Sequence, residues 1–339
     1  MRHLLACIVP ACFSLTLAAL DVPVIDGDWW RIGEQNPDLG QWSTPGGDAC
    51  DFTVFQAADG AWQLIACVRN CAWPTGQRIF HRWETRNLED RDWTPKGVFL
   101  TPDAELNQLG AIQAPHVVVE GGRWHLFYNA STGFGQPTPR GNAAFVMEGA
   151  DGRVFAHRRA ASGQPWHFAM GRDLMLLRDD AGWLVYYTGR TTTGGVQDRS
   201  PDTMVVRRSP SLDGPWGDAT ALGVSGNPES PFVVKRNGVY YLWQQLRVFA
   251  STRPDRFEAP AVAELTPGWK YAPEIIEHDG RWYMAAYGKG LWMCRLRWGT
   301  RSDDEIAAWQ RVELPRILEA EAERLRRHEE RMRSKDAGR

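Results

Sequence analysis

The sequence has almost no net charge, with 39 Lys and Arg residues against 41 Asp and Glu residues. Proteins that bind nucleic acids or anionic membranes draw affinity from clustered Lys and Arg, so this balance argues against both partners. No apolar run of membrane length occurs beyond residue 20. A Gly-x-Ser-x-Gly nucleophile motif and a Gly-rich phosphate loop are also missing. The sequence therefore does not indicate serine-hydrolase or phosphoryl-transfer chemistry.

Cysteine is scarce, and its spacing does not indicate a metal. The six residues are Cys7, Cys12, Cys50, Cys67, Cys71 and Cys294. A zinc site would need a second close pair or a His cluster, and the sequence has neither. Cys67 and Cys71 lie close together around a strand end, where a local disulfide and two buried thiols are equally compatible with the pattern. We predict no metal site and no cofactor, although a structural Ca²⁺ ion would leave no readable signature.

The amino terminus has the layout of a targeting segment. A basic start, Met1-Arg2-His3, precedes the apolar run Leu4–Leu20, and the run contains small residues for cleavage near its end, just before Asp21. This pattern predicts a secretory signal peptide over residues 1–20 and a secreted or periplasmic protein. A short membrane anchor is the alternative. After cleavage we expect no membrane span and a monomer.

An aromatic hairpin recurs five times along the chain. Each unit has an apolar strand, a turn that contains Gly, and a strand rich in aromatic residues, which is typical of a β-hairpin. The units begin at Asp51, Ala114, Arg172, Glu229 and Ala272, at spacings of 63, 58, 57 and 43 residues. Repeats of this length with four strands each indicate propeller blades. We predict an all-β, five-bladed β-propeller over residues 22–302; a two-sheet sandwich would not explain the repeat.

Tryptophan is abundant, with 17 residues in 339. Four of them recur at the start of the second strand of a unit: Trp62, Trp124, Trp183 and Trp282. Their shared position indicates packing. Trp42, Trp73 and Trp83 fall instead in long predicted loops of the first unit. Since the face of a sugar ring is an apolar C–H surface, these three are candidate carbohydrate-stacking residues.

The last segment, residues 303–339, differs in composition from the rest. It holds ten acidic and nine basic residues, and its only Gly is Gly338. The near balance of charge argues against a basic binding arm. A sparse apolar stripe interrupted by Pro315 predicts a short helix packed on the propeller, followed by a charged helix in solvent.

Three of the five units begin with a carboxylate: Asp51, Asp173 and Glu229. The first strand of every propeller blade lines the central channel, so these side chains are predicted to meet at one mouth of that channel. Paired carboxylates perform glycoside hydrolysis, in which one donates a proton to the leaving oxygen while another activates water or attacks carbon. Crowding raises the pKa of one member and prepares it to act as an acid.

Short motifs at these strand starts resemble the five-bladed propellers of glycoside hydrolase families 43 and 32. Gly171-Arg172-Asp173 resembles their Arg-Asp-Pro motif, and Glu229-Ser230-Pro231 resembles their Glu-x-Pro motif. The segments that begin Ala114-Pro115 and Ala272-Pro273 resemble their Ala-Pro strand starts. The resemblance covers residues 25–300, and family 43 is the nearer match because the Asn-Asp-Pro-Asn-Gly sequence of family 32 is missing.

The resemblance implies a role for each residue. Glu229 would be the general acid, and Asp51 the general base of a family 43 enzyme or the nucleophile of a family 32 enzyme. Asp173 would hold the substrate and tune the acid. Arg172 would contact sugar hydroxyls or fix the carboxylates, and His116 is a further candidate for substrate binding. We therefore expect a secreted, inverting glycoside hydrolase that acts on arabinofuranosyl or xylosyl substrates.

Two departures from the family pattern keep other readings open. Leu174 follows Asp173, and Phe52 follows Asp51, where the families usually have Pro. A catalytically silent propeller that binds glycans is one alternative, and a retaining β-fructofuranosidase-type enzyme is another. Asp48 stands at the same strand entry as Asp51 and competes with it for the role of base.

Overall fold

The computed structural model describes residues 19–74, 77–106, 108–132, 142–158, 167–198, 201–224, 226, 228–265 and 270–337. The fold is a five-bladed β-propeller followed by one helix, so the predicted fold class is confirmed. No helix in the described part of the chain is long and apolar enough to cross a membrane. The predicted signal peptide lies outside the described residues, apart from Ala19 and Leu20.

The strands follow the chain order of the predicted units. The first, β1 (Ala19–Gly33), precedes blade 1, and a 3-10 helix (Gly40–Trp42) follows it. Blade 1 contains β2 (Asp48–Gln56), β3 (Trp62–Arg69), β4 (Arg78–Thr85) and β5 (Thr94–Leu100). After a second 3-10 helix (Ala104–Leu106), blade 2 contains β6 (Gln108–Glu120), β7 (Arg123–Thr132), β8 (Asn142–Gly149), β9 (Ala156–His157) and β10 (His167–Met170).

The remaining blades repeat this arrangement of antiparallel neighbours. Blade 3 contains β11 (Arg172–Asp179), β12 (Gly182–Gly189), a small hairpin of β13 (Thr192–Thr193) and β14 (Val196–Gln197), β15 (Thr203–Ser209) and β16 (Thr220–Ala221). Blade 4 contains β17 (Pro231–Arg236), β18 (Val239–Gln244), β19 (Arg247–Ser251) and β20 (Ala263–Glu264). Blade 5 contains β21 (Tyr271–His278), β22 (Arg281–Tyr287) and β23 (Leu291–Ser302).

Strand β1 completes blade 5 as its outermost strand, in the order β21, β22, β23, β1. The pairing of β1 with β23 is antiparallel and runs from Ala19 opposite Ser302 to Gly33 opposite Leu291. The main-chain carbonyl of Asp21 also accepts a hydrogen bond from the Tyr241 hydroxyl of blade 4 at 2.6 Å. The two ends of the propeller sequence are therefore joined in one sheet, which closes the ring of blades.

The recurring Trp at the start of each second strand packs against the preceding blade. The indole N–H of Trp124 donates to the main-chain oxygen of Gln56 at 2.9 Å, and that of Trp183 donates to Glu120 at 3.0 Å. Such contacts satisfy the indole N–H, which is costly to bury without a partner. These residues therefore hold neighbouring blades together, as the repeat predicted.

One continuous helix, α1 (Asp303–Ala337), follows β23, where the sequence predicted two segments. Ser302 and Glu305 form a reciprocal capping box at its start, with main-chain to side-chain distances of 3.3 and 2.8 Å. Its first turns pack on the core through the buried side chain of Ile306. Pro315 lies inside the helix without ending it. The helix therefore begins on the propeller and continues into solvent.

Candidate active site

The five inner strands carry equivalent residues in three successive rings around the channel. The first ring contains Cys50, Gln113, Arg172, Glu229 and Tyr271. The second ring contains Asp51, Ala114, Asp173, Ser230 and Ala272, and all five have a positive φ, between 29° and 58°. The third ring lies two residues further along each strand and contains Thr53, His116, Met175, Phe232 and Glu274. Each blade thus contributes one side chain to each ring.

The second ring interrupts the regular strand pairing. In β2 the register shifts between Cys50 and Phe52, and β11 has a matching shift between Arg172 and Met175. A bulge with one residue in the left-handed region turns the following side chains away from the sheet plane. Asp tolerates this region better than most residues. The bulges aim the residues after them into a small cavity of about 40 Å³, which all five blades line.

The structure brings the three predicted carboxylates together, but in two different rings. Asp51 and Asp173 belong to the second ring, while Glu229 belongs to the first. The Asp173 side chain is 11% exposed and that of Glu229 is 32% exposed. The Glu229 carboxylate is therefore more open to solvent than that of Asp173.

Burial and neighbouring negative charges raise the pKa values of the two aspartates. Burial, the negative charge of Asp51 and the hydrogen-bonded carboxyl of Glu229 raise the pKa of Asp173 well above its usual range, although Arg172 opposes the shift. Burial also raises the pKa of Asp51, and the guanidinium groups of Arg78 and Arg69 partly offset that effect. The negative charges of the neighbouring carboxylates thus oppose ionisation of both aspartates.

Arg172 binds Glu229 through two nitrogens. Its Nη2 donates to Oε1 at 2.8 Å, and its Nε donates to Oε2 at 3.2 Å. The Nη1 atom donates to Asp202 at 2.8 Å. This planar, charge-assisted pairing fixes the Glu229 carboxylate in one orientation. Each Glu229 oxygen keeps a second lone pair that can accept a hydrogen bond from a substrate.

Asp48 and Asp51 have different surroundings. The Asp48 carboxylate accepts a hydrogen bond from Arg69 Nε at 2.7 Å and forms an ion pair with it. Asp51 lines the channel cavity, whereas Asp48 does not. The geometry therefore favours Asp51 as the member of the carboxylate group.

His116 lies in the third ring, below the acids. Its Nδ1 is 3.7 Å from Glu274 Oε1, and its Nε2 is 3.3 Å from the main-chain oxygen of Leu176. Glu274 also accepts a hydrogen bond from the Val54 main-chain N–H at 2.7 Å. His116 is 7% exposed. The pair joins blades across the channel, and these contacts favour a positioning role for His116 over direct binding of a sugar.

We expect Glu274→Ala to lower the free energy of unfolding by about 1–3 kcal/mol, because it leaves the buried N–H of Val54 without an acceptor. Glu274→Gln keeps an acceptor and should cost less. Glu277→Ala, on the exposed side of the same strand, should stay within about 0.5 kcal/mol. Urea unfolding measures all three. An equal effect of Glu274→Ala and Glu277→Ala would contradict the proposed bridge between blades.

Asp173→Asn should stabilise the fold in a pH-dependent way. The pKa of Asp173 is raised in the folded protein. Near the pKa of an unfolded Asp, about 3.9, the folded side chain is protonated and does not yet lower the free energy of unfolding. As the pH rises from that value towards the folded pKa, the unfolded chain ionises while the folded side chain stays protonated, so the cost to stability grows and then levels off. Neutral Asn avoids that cost. Melting temperatures measured from about pH 4 to pH 8 should therefore diverge in favour of the variant. Asp180→Asn, whose parent side chain is 98% exposed, should show no such trend; a parallel pair of curves for Asp173→Asn would refute the assignment.

The three tryptophans predicted to stack on sugars differ in location and burial. The prediction that Trp83 lies in a loop is wrong, because it belongs to β4, is fully buried, and donates its N–H to Glu34 at 2.6 Å. Trp42 and Trp73 are half-buried and form an edge-to-face pair with ring centroids 4.8 Å apart. They lie beside the ends of β2 and β3 that adjoin Asp51.

Sequence reasoning missed two neighbours of the acids. Asp202 precedes β15 and contacts Arg172, and partly buried Tyr287 ends β22 near Asp51. Burial and the charges of Asp51 and Cys50 raise the pKa of the Tyr287 hydroxyl. Tyr287 ends the aromatic strand of its unit, so the repeat itself contained a signal for it. Asp202 lies in a Gly-rich stretch with no comparable pattern.

The four cysteines in the described residues are all free and buried. The suggested Cys67–Cys71 bridge is therefore not formed. Cys50 and Cys67, with Asp51, form a cluster whose side-chain types can bind a metal ion. No other group of three such residues with this spacing occurs among the residues that the structure describes.

The fold is that of the five-bladed propeller glycoside hydrolases of families 43 and 32. A GH43_1 enzyme from Xanthomonas citri has a TM-score of 0.54 at 14% sequence identity, over 81% of this chain and 93% of that chain. CoXyl43, a GH43 β-xylosidase/α-arabinofuranosidase from a compost microbial metagenome, has a TM-score of 0.53 at 15% identity, over 81% and 97%.

A GH32 β-fructofuranosidase from Bombyx mori has a TM-score of 0.55 at 16% identity, over 80% of this chain and 62% of that chain. No protein-family model matches the sequence, and no curated protein matches it either. At these identities the similarity shows the fold alone. The chemistry must be argued from the side chains of this chain.

Proposed function

We propose that the protein is a glycoside hydrolase in which Glu229 is the general acid and Asp51 the general base. The supporting observation is that carboxylates from blades 1, 3 and 4 gather around the channel, and that the Glu229 side chain is more exposed than that of Asp173. An acid at the mouth can reach the leaving oxygen, while a deeper base faces the opposite side of the sugar. Asp173 then serves to position Glu229.

We infer that the substrate carries terminal arabinofuranosyl or xylosyl groups and that hydrolysis proceeds with inversion. Two of the similar structures contain xylotriose, and one of those enzymes is named as a β-xylosidase/α-arabinofuranosidase. The cavity that Asp51 and Asp173 line is only about 40 Å³, so it has no room for a long glycan chain. Trp42 and Trp73 offer apolar ring surface beside this end of blade 1 for the remaining sugars.

A glycan-binding propeller without catalysis is the second candidate. The observation that favours it is the bidentate pairing of Arg172 with Glu229, which gives both carboxylate oxygens a cationic partner within the protein. In that case the same groups would bind sugar hydroxyls without cleaving a bond. Binding of xylo- or arabino-oligosaccharides with no product on prolonged incubation would support this second function.

A panel of aryl glycosides tests the proposal directly. We expect hydrolysis of the α-L-arabinofuranoside or the β-D-xyloside and none of the fructoside. Proton NMR of the first product formed then gives its anomeric configuration: an inverted product supports a general base, and a retained product supports a nucleophile. Cleavage of sucrose with retention would instead assign the chain to the fructofuranosidase-type reaction.

We also propose that the protein is exported. The support is the basic start and apolar run of residues 1–20. Expression of the full sequence followed by sequencing of the amino terminus of the exported protein tests this. Recovery of the intact apolar segment on membrane-bound protein would instead support the anchor.

A further inference from the structure

Two cysteines face each other across the first two strands of blade 1, directly beside Asp51. Cys50 of β2 is the register partner of Cys67 of β3. The Sγ atom of Cys50 is 3.8 Å from Asp51 Oδ2, and Cys67 Sγ donates to the main-chain oxygen of Ile112 at 3.4 Å. One ligand atom from each of Cys50, Asp51 and Cys67 lies within 4.8 Å of the others. The proposed catalytic base therefore shares its immediate surroundings with two thiols.

This set of donors suits a thiophilic divalent cation. Zinc binds thiolate sulfur at about 2.3 Å and carboxylate oxygen at about 2.0–2.2 Å in a tetrahedron, so neighbouring ligand atoms lie about 3.4–3.8 Å apart. The observed cluster needs side-chain movements of only about 1 Å to reach that spacing. Three protein ligands leave a fourth position open, and Asp51 lines the channel cavity from which water can fill it.

We propose that Cys50, Cys67 and Asp51 form a site for a thiophilic divalent cation such as Zn²⁺ or Cd²⁺, whose binding occupies the catalytic base. Two S–H bonds break, two metal–sulfur bonds form, and the two thiol protons leave to solvent, with no change in oxidation state. The bound cation, two thiolates and one carboxylate carry a net charge of −1, which faces the guanidinium of Arg69. The site thus has a built-in counter-charge.

Cation binding is tested with the full chain, reduced by a phosphine and freed of metal. Titration with Cd²⁺ should produce the ultraviolet charge-transfer band of cadmium thiolates and saturate at one ion per chain. Cys50→Ser and Cys67→Ser should each abolish most of this band. Cys71→Ser and Cys294→Ser are matched controls, because they remove buried thiols outside the cluster, and both should keep it. Cys→Ala variants replace any Ser variant that fails to melt cooperatively.

Asp51→Asn should keep the sulfur band but weaken Cd²⁺ binding roughly tenfold or more, because it removes the carboxylate ligand. No band in the wild type, or a band that persists in both Cys50→Ser and Cys67→Ser, would overturn the site. A band lost equally in Cys294→Ser would do the same, since it would indicate adventitious binding to thiols.

The inhibitory consequence rests on the proposed function and is measured separately. Zn²⁺ should inhibit hydrolysis by the wild type and by Cys294→Ser to the same degree, and a chelator should restore it. In Cys67→Ser the ratio of rates with and without Zn²⁺ should return to near one. If the chain hydrolyses no glycoside, the cadmium band still decides the site. If the band appears but Zn²⁺ leaves hydrolysis unchanged, the cation does not block Asp51, and the proposed inhibition is wrong.

Discussion

Glu229→Gln should lower kcat for an aryl xyloside or arabinofuranoside by about 10²–10⁴-fold, the usual contribution of a general acid. Gln has nearly the same shape and can still accept a hydrogen bond from Arg172, so the fold and the substrate position should persist. The loss should be largest for substrates with poor leaving groups, because these need a proton most. Steady-state kinetics across a series of substituted aryl glycosides measures this dependence.

The matched control is Glu277→Gln, an exposed glutamate on β21, which should leave kcat unchanged. Equal hydrolysis by Glu229→Gln and the wild type would show that another group supplies the proton. A loss of the same size for every leaving group would indicate that Glu229 positions the substrate instead. In that case the pairing with Arg172 would be the primary role of Glu229.

Asp51→Asn should lower kcat by about 10²–10⁴-fold without lowering the melting temperature. The amide cannot take a proton from water, so the base is lost. Burial raises the pKa of Asp51, which means that the ionised group is costly to the fold and a neutral substitute is not. The variant therefore separates catalysis from stability when kinetics and thermal unfolding are measured on the same sample.

Asp48→Asn tests the competing candidate. Asp48 forms an ion pair with Arg69 at 2.5 Å, and its loss should cost at most about 1 kcal/mol, because the pair is partly exposed. We expect hydrolysis to remain within a few-fold of the wild type. A collapse of kcat in Asp48→Asn with full activity in Asp51→Asn would exchange the two roles.

The repeat in the sequence predicted the blades because every unit repeats the same local physics. Asp-Gly and Asn-Gly turns accept positive φ, and the aromatic residue after each turn packs between blades. Trp124 and Trp183 satisfy their N–H groups in this way. Such features depend only on neighbouring residues, so they can be predicted from the sequence. Trp83 was misplaced because the strand that contains it, β4, follows a turn with no Asp-Gly or Asn-Gly sequence.

The residues of the site were harder to predict from the sequence, because the register of each inner strand decides which side chains face the channel. Asp51, Asp173 and Glu229 begin the repeated units of the sequence, yet in the structure Glu229 precedes β17 and lies one ring away from the two aspartates. The equivalent of Asp173 in blade 4 is Ser230, whose positive φ of 50° identifies it. A one-residue offset of this kind exchanges which side chain faces the channel. Contacts such as Arg172 to Asp202 join residues 30 positions apart and have no local signature.

The closure of blade 5 by β1 has a consequence for how the protein is made. On a ribosome, β1 emerges first but finds its partner, β23, only after nearly the whole propeller has been synthesised. Closing so long a loop carries a large entropic cost and slows the pairing. Until then the nascent chain presents β1 unpaired, and unpaired strands invite association with other chains. A chain cut before Leu291 would keep its first strand in that exposed state permanently.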